Sequence, residues 1–425
     1  MYAAMPAVLK SAVEQAYEDC GWNLNTSRNA YGEEIYPSFA DVARKVKEVI
    51  DSSEYDNDNK GAYKGALQTR LASLANGLNG MIFVQDEISS TALFDENVII
   101  DLSRVGSTET KSLIMGMLIL KLQEHRMVTA TSMNSDLKHL TVLEEAHNLL
   151  KRTSATQSAE GANLMGKSVE MLANAIAEMR TYGEGFIIAD QAPGLLDMSV
   201  IRNTNTKIIM RLPDLGDREL VGKSAGLNDD QIIELAKLPC GVAAVYQNEW
   251  VQPILCKVDK FSAKTKPFEY TISPEDAARY EEKRIVSESL LDFIMSKELF
   301  QKSSLESVQE LKVRIIKSKL DSTVKRDFLA YITSEKPEAM DALRSLLFGF
   351  LEAEKAMRDA QECTNITDWV HAVVRKLNPS VQKYSNKQID LAMALLLYEQ
   401  SLRNPIYDNI LGKFTEVYRS EGGVF

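Results

Sequence analysis

Two adjacent carboxylates, Glu144 and Glu145, are the residues of this chain whose types and position most clearly suggest chemistry. They follow Leu140–Leu143, a short apolar run rich in strand-forming residues, and Ala146–Leu150 then turns away. At the carboxyl end of a buried parallel strand, one acid can hold Mg²⁺ while the next polarises an attacking water. This pattern is typical of α/β nucleotide hydrolases, although a buried strand that ends in two solvated acids looks the same in sequence.

A second apolar strand further along the chain also ends in polar residues. It opens at Gly185 and leads to Asp190 and Gln191. Between the two strands, residues 169–182 repeat apolar side chains at helical spacing. A strand, a crossover helix and a strand form a βαβ unit, whose polar tips share one edge of the sheet. Ligands bind at that edge in open α/β sheets.

The same patterns predict an α/β core over residues 81–260. Its strands are expected at 97–101, 139–143, 185–190, 206–211, 241–247 and 251–257. The connecting helices are expected at 107–126, 162–182 and 214–237. The last helix should break near Gly226, and Asp101, which ends the first strand, is a weaker site candidate.

Helical spacing dominates on both sides of this core. Residues 1–80 are predicted to be mostly helical. Residues 261–274 are rich in Ser, Lys, Thr and Pro, which favours a linker. Residues 275–425 show no strand-like alternation, so they are predicted to form an all-helical carboxyl-terminal domain.

Three stretches together carry a resemblance to a known family: Leu140–Leu150, Ala177–Gln191 and Ile201–Leu212. In this order they resemble the HerA/FtsK branch of RecA-like P-loop ATPases, which are ring-forming DNA translocases related to the conjugation ATPases of type IV secretion. The resemblance covers roughly residues 1–260. It implies a partial RecA-like core, with a largely parallel sheet flanked by helices, in which residues 1–80 are a helical insertion.

The resemblance also implies a role for four side chains. Glu144 matches the Walker B acid that is associated with Mg²⁺, and Glu145 matches the catalytic glutamate that orients water. Gln191 matches the sensor at the tip of the next strand. Arg180 resembles the arginine that reaches a neighbouring subunit's γ-phosphate, a role suited to its planar, permanently charged guanidinium group.

Several of these residues have a simpler interpretation. Arg180 could be a solvated cation favoured by the helix dipole, and Gln191 could only cap its strand. Arg202 and Arg211 are weaker finger candidates and more typical of structural residues. His147 is expected to pack or hydrogen-bond behind the acid pair.

A Walker A phosphate loop is missing from the expected place. Nothing before Glu144 matches its pattern, whereas Gly161–Ser168 matches it after the acid pair, the wrong order for the family. The preceding Lys151–Glu160 is too polar for a core strand, so a flexible loop and a helix start are favoured. We therefore expect the downstream part of a larger ATPase, either truncated or naturally split, that binds ATP poorly by itself.

Composition limits the surroundings in which this chain works. No apolar run approaches the ~18–20 residues that span a bilayer. No secretory signal opens the sequence. The four cysteines are scattered, which favours free thiols in a reducing compartment. We therefore expect a cytoplasmic protein without a membrane contact.

The net charge of −11 argues against a surface that is basic throughout and coats DNA. A ring translocase, however, grips DNA through a few residues in a central pore. Lys151, Arg152 and Lys167 flank a polar loop over 151–168 and are the weak candidates for such contacts. A solvated surface loop would have the same composition.

The resemblance implies a motor that uses ATP and Mg²⁺. As a homo-oligomer, most typically a hexameric ring, it would move double-stranded DNA. Such ATPases serve DNA processing or anti-phage restriction with a nuclease partner, and restriction ATPases of the DptH type are one such resemblance. A conjugation or secretion motor, and a non-hydrolysing interaction platform, are the alternatives left open.

Overall fold

The computed structural model describes residues 4–84, 87–152, 159–262, 274–295, 305–318, 320–335, 337–360, 365–377 and 379–420. Within these ranges the chain forms two compact units. One unit combines Met1–Glu87 with Glu269–Phe425, and the other is Ile88–Phe268.

The amino-terminal part of the first unit is helical, with one short hairpin. Its elements are α1 (Ala4–Asp19), β1 (Trp22–Asn23), β2 (Arg28–Asn29), α2 (Phe39–Ser52), α3 (Asn57–Ala75) and α4 (Gly77–Ile82). Helix α2 begins at a capping box, in which Ser38 and Asp41 each accept a backbone hydrogen bond from the other. Val46 and Ile50, one turn apart on α2, are fully buried in a core shared with α1 and α3.

The second unit alternates strands and helices. Its elements are α5 (Ser90–Phe94), α6 (Thr108–Thr129), β3 (His139–Glu144), α7 (Ala159–Met179), β4 (Glu184–Ala189), α8 (Met198–Asn203), β5 (Thr206–Ile209), α9 (Leu215–Ser224), α10 (Asp229–Glu234), β6 (Val242–Gln247) and β7 (Ile254–Lys257). The break between α9 and α10 contains Gly226 at φ 71°, a backbone conformation that favours glycine.

Strands β3 and β4 form the predicted βαβ unit. They pair in parallel, in a register that places His139 opposite Glu184 and Glu144 opposite Ala189. Helix α7 connects them, and its buried side chains pack in one core with Leu143. A short turn at Arg180–Tyr182 then leads through Gly183, at φ 87°, into β4. A Cβ atom on Gly183 would lie 2.5 Å from the carbonyl oxygen of Asp136, so only glycine fits.

A buried ion network closes the amino-terminal end of this strand pair. Arg126 Nε donates to Glu184 Oε2 at 2.8 Å, and its Nη1 donates to Asp95 Oδ1 at 2.6 Å. Glu184 Oε1 also contacts His139 Nδ1 at 2.8 Å and accepts from Thr141 Oγ1 at 2.6 Å. The hydrogen bond from Arg126 lowers the pKa of Asp95 below its usual value. Each buried charge therefore has partners that compensate for its lost hydration.

The second sheet corrects the prediction of a largely parallel core. Strands β5, β6 and β7 pair antiparallel throughout, and β6 and β7 are joined by a short turn that allows no other direction. The α/β class is confirmed, but the only parallel pairing in the described part of the chain is between β3 and β4.

The strand predicted at 97–101 is absent from all three sheets of the described residues, and Ile99 there is 96% exposed. Its apolar residues do not pair with another strand, so apolar character alone misled the prediction. Asp101 therefore ends no strand. Its Oδ1 accepts a hydrogen bond from the Ser103 backbone at 2.8 Å within a local turn.

The carboxyl-terminal part of the first unit is a set of helices around one large apolar core. They are α11 (Pro274–Met295), α12 (Leu305–Lys317), α13 (Ser322–Thr333), α14 (Glu338–Phe350), α15 (Ala353–Arg358), α16 (Ile366–Lys376), α17 (Asn386–Arg403) and α18 (Asp408–Ser420). Among the described helices, none has the length and apolar character that crossing a membrane requires.

Helix α13 contacts the amino-terminal helices within this first unit. Ser322 Oγ donates to Asp41 Oδ2 at 2.9 Å, and both side chains are buried. Leu329 of α13 packs with Cys20 and Ile35 in a small core of their own. The amino-terminal helices are thus completed by residues of α13.

Candidate functional site

The carboxyl end of β3 is where the predicted acids lie. Glu144 is the last residue of the strand, and Glu145 follows it in the left-handed region at φ 49° and ψ 48°. The chain then makes a turn at Ala146–Asn148, in which the backbone and side-chain nitrogens of Asn148 both donate to the Glu145 carbonyl at 3.0 Å. This abrupt turn ends the strand and leaves Glu144 exposed and Glu145 partly exposed at its tip.

Gln191 reaches the second acid from the neighbouring strand. Its Nε2 donates to Glu145 Oε1 at 2.8 Å. The parallel register explains the contact, because Asp190 and Gln191 follow β4 at the same edge where Glu145 follows β3. The structure therefore brings together three of the residues predicted from sequence, Glu144, Glu145 and Gln191.

His147 and Asp190 complete this cluster. Asp190 Oδ2 accepts from the His147 backbone nitrogen at 2.8 Å and lies 2.9 Å from His147 Nδ1. His147 Nδ1 is also 3.4 Å from Glu145 Oε2. Sequence reasoning placed His147 behind the acids but gave Asp190 no role. The sequence feature that could have indicated Asp190 is its position directly after an apolar strand and beside Gln191.

The carboxylates of this cluster suit a hard divalent cation, whereas the imidazole of His147 suits softer metals such as Zn²⁺. Glu145, His147 and Asp190 each offer a ligand atom, and these atoms all lie within 4.8 Å of one another. Mg²⁺ binds through one or two carboxylates and keeps several of its waters, so an exposed acid pair suits it. Within the described ranges, no lysine or arginine forms an ion pair with Glu144 or Glu145, so their charge is available to a cation from outside.

Arg180 lies away from this cluster. It is exposed in the turn before β4, whereas Gln191 follows that strand. Six residues of strand at about 3.3 Å each separate the two by roughly 20 Å. Arg202, at the end of α8, and Arg211, after β5, are exposed as well, and no contact joins either to the acids.

The predicted DNA-contacting residues follow the acid cluster in sequence. Lys151 and Arg152 are exposed, and their backbone is held to the segment before α8 by a bridge to Leu196 and a 2.7 Å hydrogen bond to the Leu195 carbonyl. Residues 153–158 and the side chain of Lys167 lie outside the described residues.

The match to a phosphate loop at Gly161–Ser168 lies inside α7. The loop predicted over 151–168 is therefore helical from Ala159 onward. A helix commits its backbone N–H groups to its own carbonyls beyond the first turn, so this segment does not present the ring of free N–H groups that cradles phosphate.

The comparisons confirm the resemblance to HerA/FtsK-type P-loop ATPases. Part of the chain is 29% identical, over 155 residues, to the DNA double-strand break repair helicase HerA of Sulfolobus acidocaldarius, covering 36% of this chain and 29% of that relative. The protein of the same name from Sulfurisphaera tokodaii is 30% identical over 126 residues, covering 29% of this chain and 23% of that relative. A probable helicase of Methanocaldococcus jannaschii is 28% identical over 123 residues, 29% of this chain and 22% of its own length.

The chain thus spans less than a third of the length of these curated relatives. No family model matches it. A solved structure of VirB4 from Thermoanaerobacter pseudethanolicus aligns with 61% of this chain and 64% of its own, at a TM-score of 0.45 and 15% identity.

Proposed function

We propose that this chain carries the metal-holding and water-activating acids of a HerA-type ring ATPase that moves double-stranded DNA. The observation that carries the proposal is the contact of Gln191 Nε2 with Glu145 Oε1, at 2.8 Å, beside Glu144 at the end of a parallel strand. The sequence relatives support it, because they include HerA helicases of DNA double-strand break repair.

In this proposal the two acids divide the work. Glu144 would hold Mg²⁺, which when bound neutralises charge on the phosphate oxygens of ATP. Glu145 would accept a hydrogen bond from the attacking water through Oε2, while Gln191 fixes the orientation of the same carboxylate through Oε1. The carboxylate is 44% exposed, so a water can reach it without rearrangement of the site.

Arg180 would act on a different nucleotide from the one beside its own acids. Its distance of roughly 20 Å from Gln191, along a strand at about 3.3 Å per residue, is too long for one γ-phosphate to meet both. An exposed arginine at the opposite end of β4 can instead reach the site of a neighbouring subunit. This supports a homo-oligomeric ring, which we propose to be a hexamer.

The phosphate loop would come from chain outside these residues. The outward face of the β3–β4 pair leaves Leu140, Val142 and Ile187 about half exposed, at 46%, 55% and 47%. Parallel strands are normally covered on both faces, so this face suits further structure. We therefore propose that the chain binds ATP weakly by itself and gains activity in the complete assembly.

Lys151, Arg152 and Lys167 would contribute to the DNA path, because they are the cations that follow the acids in sequence. In its narrower form the proposal includes a role in anti-phage restriction with a nuclease partner. The other forms are a conjugation or secretion motor, and an interaction platform that hydrolyses nothing.

The test compares ATP binding and Mg²⁺-dependent hydrolysis by this chain alone and by the complete protein or complex, with and without linear double-stranded DNA. We expect hydrolysis only in the complete protein, and stimulation by DNA. Micromolar ATP binding and turnover by the chain alone would contradict an external phosphate loop. A complete protein that binds ATP without any turnover would favour the platform.

A further inference from the structure

One buried carboxylate ties the turn that carries the acids to the neighbouring strand. The side chain of Asp190 is 3% exposed. Its Oδ2 accepts from the His147 backbone nitrogen at 2.8 Å and lies 2.9 Å from His147 Nδ1. Its Oδ1 accepts from the Ala192 backbone nitrogen at 2.9 Å. Both carboxylate oxygens of Asp190 therefore accept a hydrogen bond, Oδ2 from the segment after β3 and Oδ1 from the segment after β4.

The contact between the ring and the carboxylate requires a hydrogen on one of its two atoms. An ionised carboxylate only accepts hydrogen bonds, so an ionised Asp190 requires that His147 Nδ1 carries the hydrogen and donates it. The backbone and the ring of one residue are thus held by a single oxygen atom. This fixes both the position and the rotation of His147, two residues after Glu145.

Glu145 needs such support. The left-handed conformation is strained for a residue with a Cβ atom, and Glu145 adopts it at φ 49°. Asn148 and Asp190 supply the hydrogen bonds that hold the turn in this shape. Once the turn is held, the carboxylate of Glu145 stands between Gln191 Nε2 on one oxygen and His147 Nδ1, at 3.4 Å, on the other.

We propose that Asp190 and His147 are positioning residues, which together form a clamp that sets where the Glu145 carboxylate stands. The neighbouring residues Asp190 and Gln191 then divide the task, since the first holds the turn and the second holds the carboxylate. The kinetic consequence rests on the proposed function, because it requires Glu145 to orient water. The structural consequence does not.

A metal ion bound to the same three side chains is the competing explanation, since their ligand atoms lie within 4.8 Å of one another. A metal at Nδ1 would require that nitrogen to lose its hydrogen. A metal at Nε2 would leave that hydrogen in place. The two explanations therefore differ in the protonation of Nδ1 or in the response of the ring nitrogen signals to added Zn²⁺, and nitrogen NMR of the imidazole ring reports both.

The structural test uses this chain with isotope-labelled Glu, Gln and His. In the wild type we expect a protonated Nδ1 on His147 and left-handed Cα and Cβ shifts at Glu145. Asp190→Ala should remove both and shift the Gln191 side-chain amide. His147→Ala, at a less buried position, provides a second variant if Asp190→Ala fails to fold. Asp197→Ala is the matched control, because it removes an acid that accepts from Ser199 without contacting the turn.

Unchanged Glu145 shifts in both Asp190→Ala and His147→Ala would overturn the clamp. A wild-type His147 that lacks hydrogen at Nδ1 would overturn it, and ring nitrogen signals that respond to Zn²⁺ at micromolar concentration would overturn it in favour of a metal site.

The kinetic test uses the complete ATPase. A displacement of about 1 Å in a reacting group can cost on the order of 100-fold in rate, so Asp190→Ala should lower kcat by ~100-fold with KM for ATP little changed. His147→Gln, which retains an N–H donor, should recover more activity than His147→Ala. Equal loss in these two variants, or full activity in Asp190→Ala, would contradict the clamp. If the wild type itself hydrolyses nothing, the proposed function fails, and the NMR result still decides the clamp.

Discussion

Each end of the β3–β4 pair has a glutamate beside a histidine, but the glutamate is buried at one end and partly exposed at the other. At the amino-terminal end, Glu184 is fully buried and is bonded to Arg126, His139 and Thr141. At the carboxyl-terminal end, the side chain of Glu145 is 44% exposed, and its polar partners within the described ranges are Gln191 and His147, neither of which carries a permanent positive charge. The same two strands thus support a closed ion network at one end and an open acid cluster at the other.

The difference predicts separate contributions of the two ends to stability and to activity. A buried carboxylate whose charge is matched by arginine contributes to the fold and has nothing left to offer a ligand. An exposed acid pair without a nearby cation contributes little to stability, yet its charge attracts a cation from solution. Loss of the first should therefore cost stability, and loss of the second should cost activity.

The largest effect should come from Glu145→Gln in the complete ATPase. Loss of a general base lowers rates by roughly 100- to 10,000-fold, so hydrolysis should fall by that amount while ATP binding remains. Steady-state turnover and equilibrium binding of a labelled nucleotide measure the two effects separately. Normal turnover by this variant would remove Glu145 from its proposed role.

Glu184→Ala should produce the largest loss of stability at the other end. It removes the fully buried partner of Arg126 and leaves only the partly exposed Asp95, and breaking a buried ion pair in this way typically costs about 3–5 kcal/mol in the free energy of unfolding. Glu144→Ala is the matched control, because its carboxylate is exposed and its loss should change stability by less than about 0.5 kcal/mol. Chemical denaturation measures both, and equal losses would erase the contrast between the two ends.

Glu145→Gly should stabilise the protein while it removes activity. Relief of left-handed strain of about 1–2 kcal/mol is partly offset by the greater freedom of glycine in the unfolded chain, which leaves a gain of about 1 kcal/mol. Glu352 has almost the same backbone conformation, at φ 50°, as the N-cap residue before α15 and outside the candidate site. Glu352→Gly should therefore give a similar gain with hydrolysis unchanged. A loss of stability in Glu145→Gly alone would show that the carboxylate also supports the fold.

The smallest effect should be a change in acid stability at the closed end. The hydrogen bond from Arg126 lowers the pKa of Asp95 from its ordinary 3.8. The resulting stabilisation is fully present above that ordinary value and is lost as the pH falls through the lower folded value. Asp95→Asn should therefore flatten the fall of stability below about pH 4, as followed by denaturation across pH. An unchanged acid profile would assign that fall to other carboxylates.

The sequence predicted the open end better than the closed one. Apolar runs located β3 and β4 within a residue or two, and the rule for parallel strands then brought Gln191 near Glu145. The bonds of Asp190 depend on the exact turn after β3, which spacing does not encode. The partnership of Arg126 with Glu184 joins a helix face to a strand 58 residues away, so no local pattern reveals it.

The sequence likewise predicted the fold class but not every strand or strand direction. Alternation of apolar runs and helical spacing indicated an α/β core. The short connection between β6 and β7 already required an antiparallel pair, whereas the pairing of β5 with β6 is specified by no single segment. The stretch at 97–101 shows the limit, because strand-forming residues need a neighbouring strand before they form one.

The contact of α13 with the amino-terminal helices has a consequence for biosynthesis. Cys20 is buried beside Leu329, and burial raises the pKa of its thiol to about 12. A nascent chain emerges from the ribosome with its amino-terminal helices long before Leu329 is made, so Cys20 should stay open to thiol reagents until α13 arrives. Pulse-labelling of ribosome-bound chains of increasing length would show protection beginning only after residue 329 has left the exit tunnel. The second unit, Ile88–Phe268, can complete its own core before α13 is made. The amino-terminal helices therefore gain their contacts with α13 only after that unit has been synthesised.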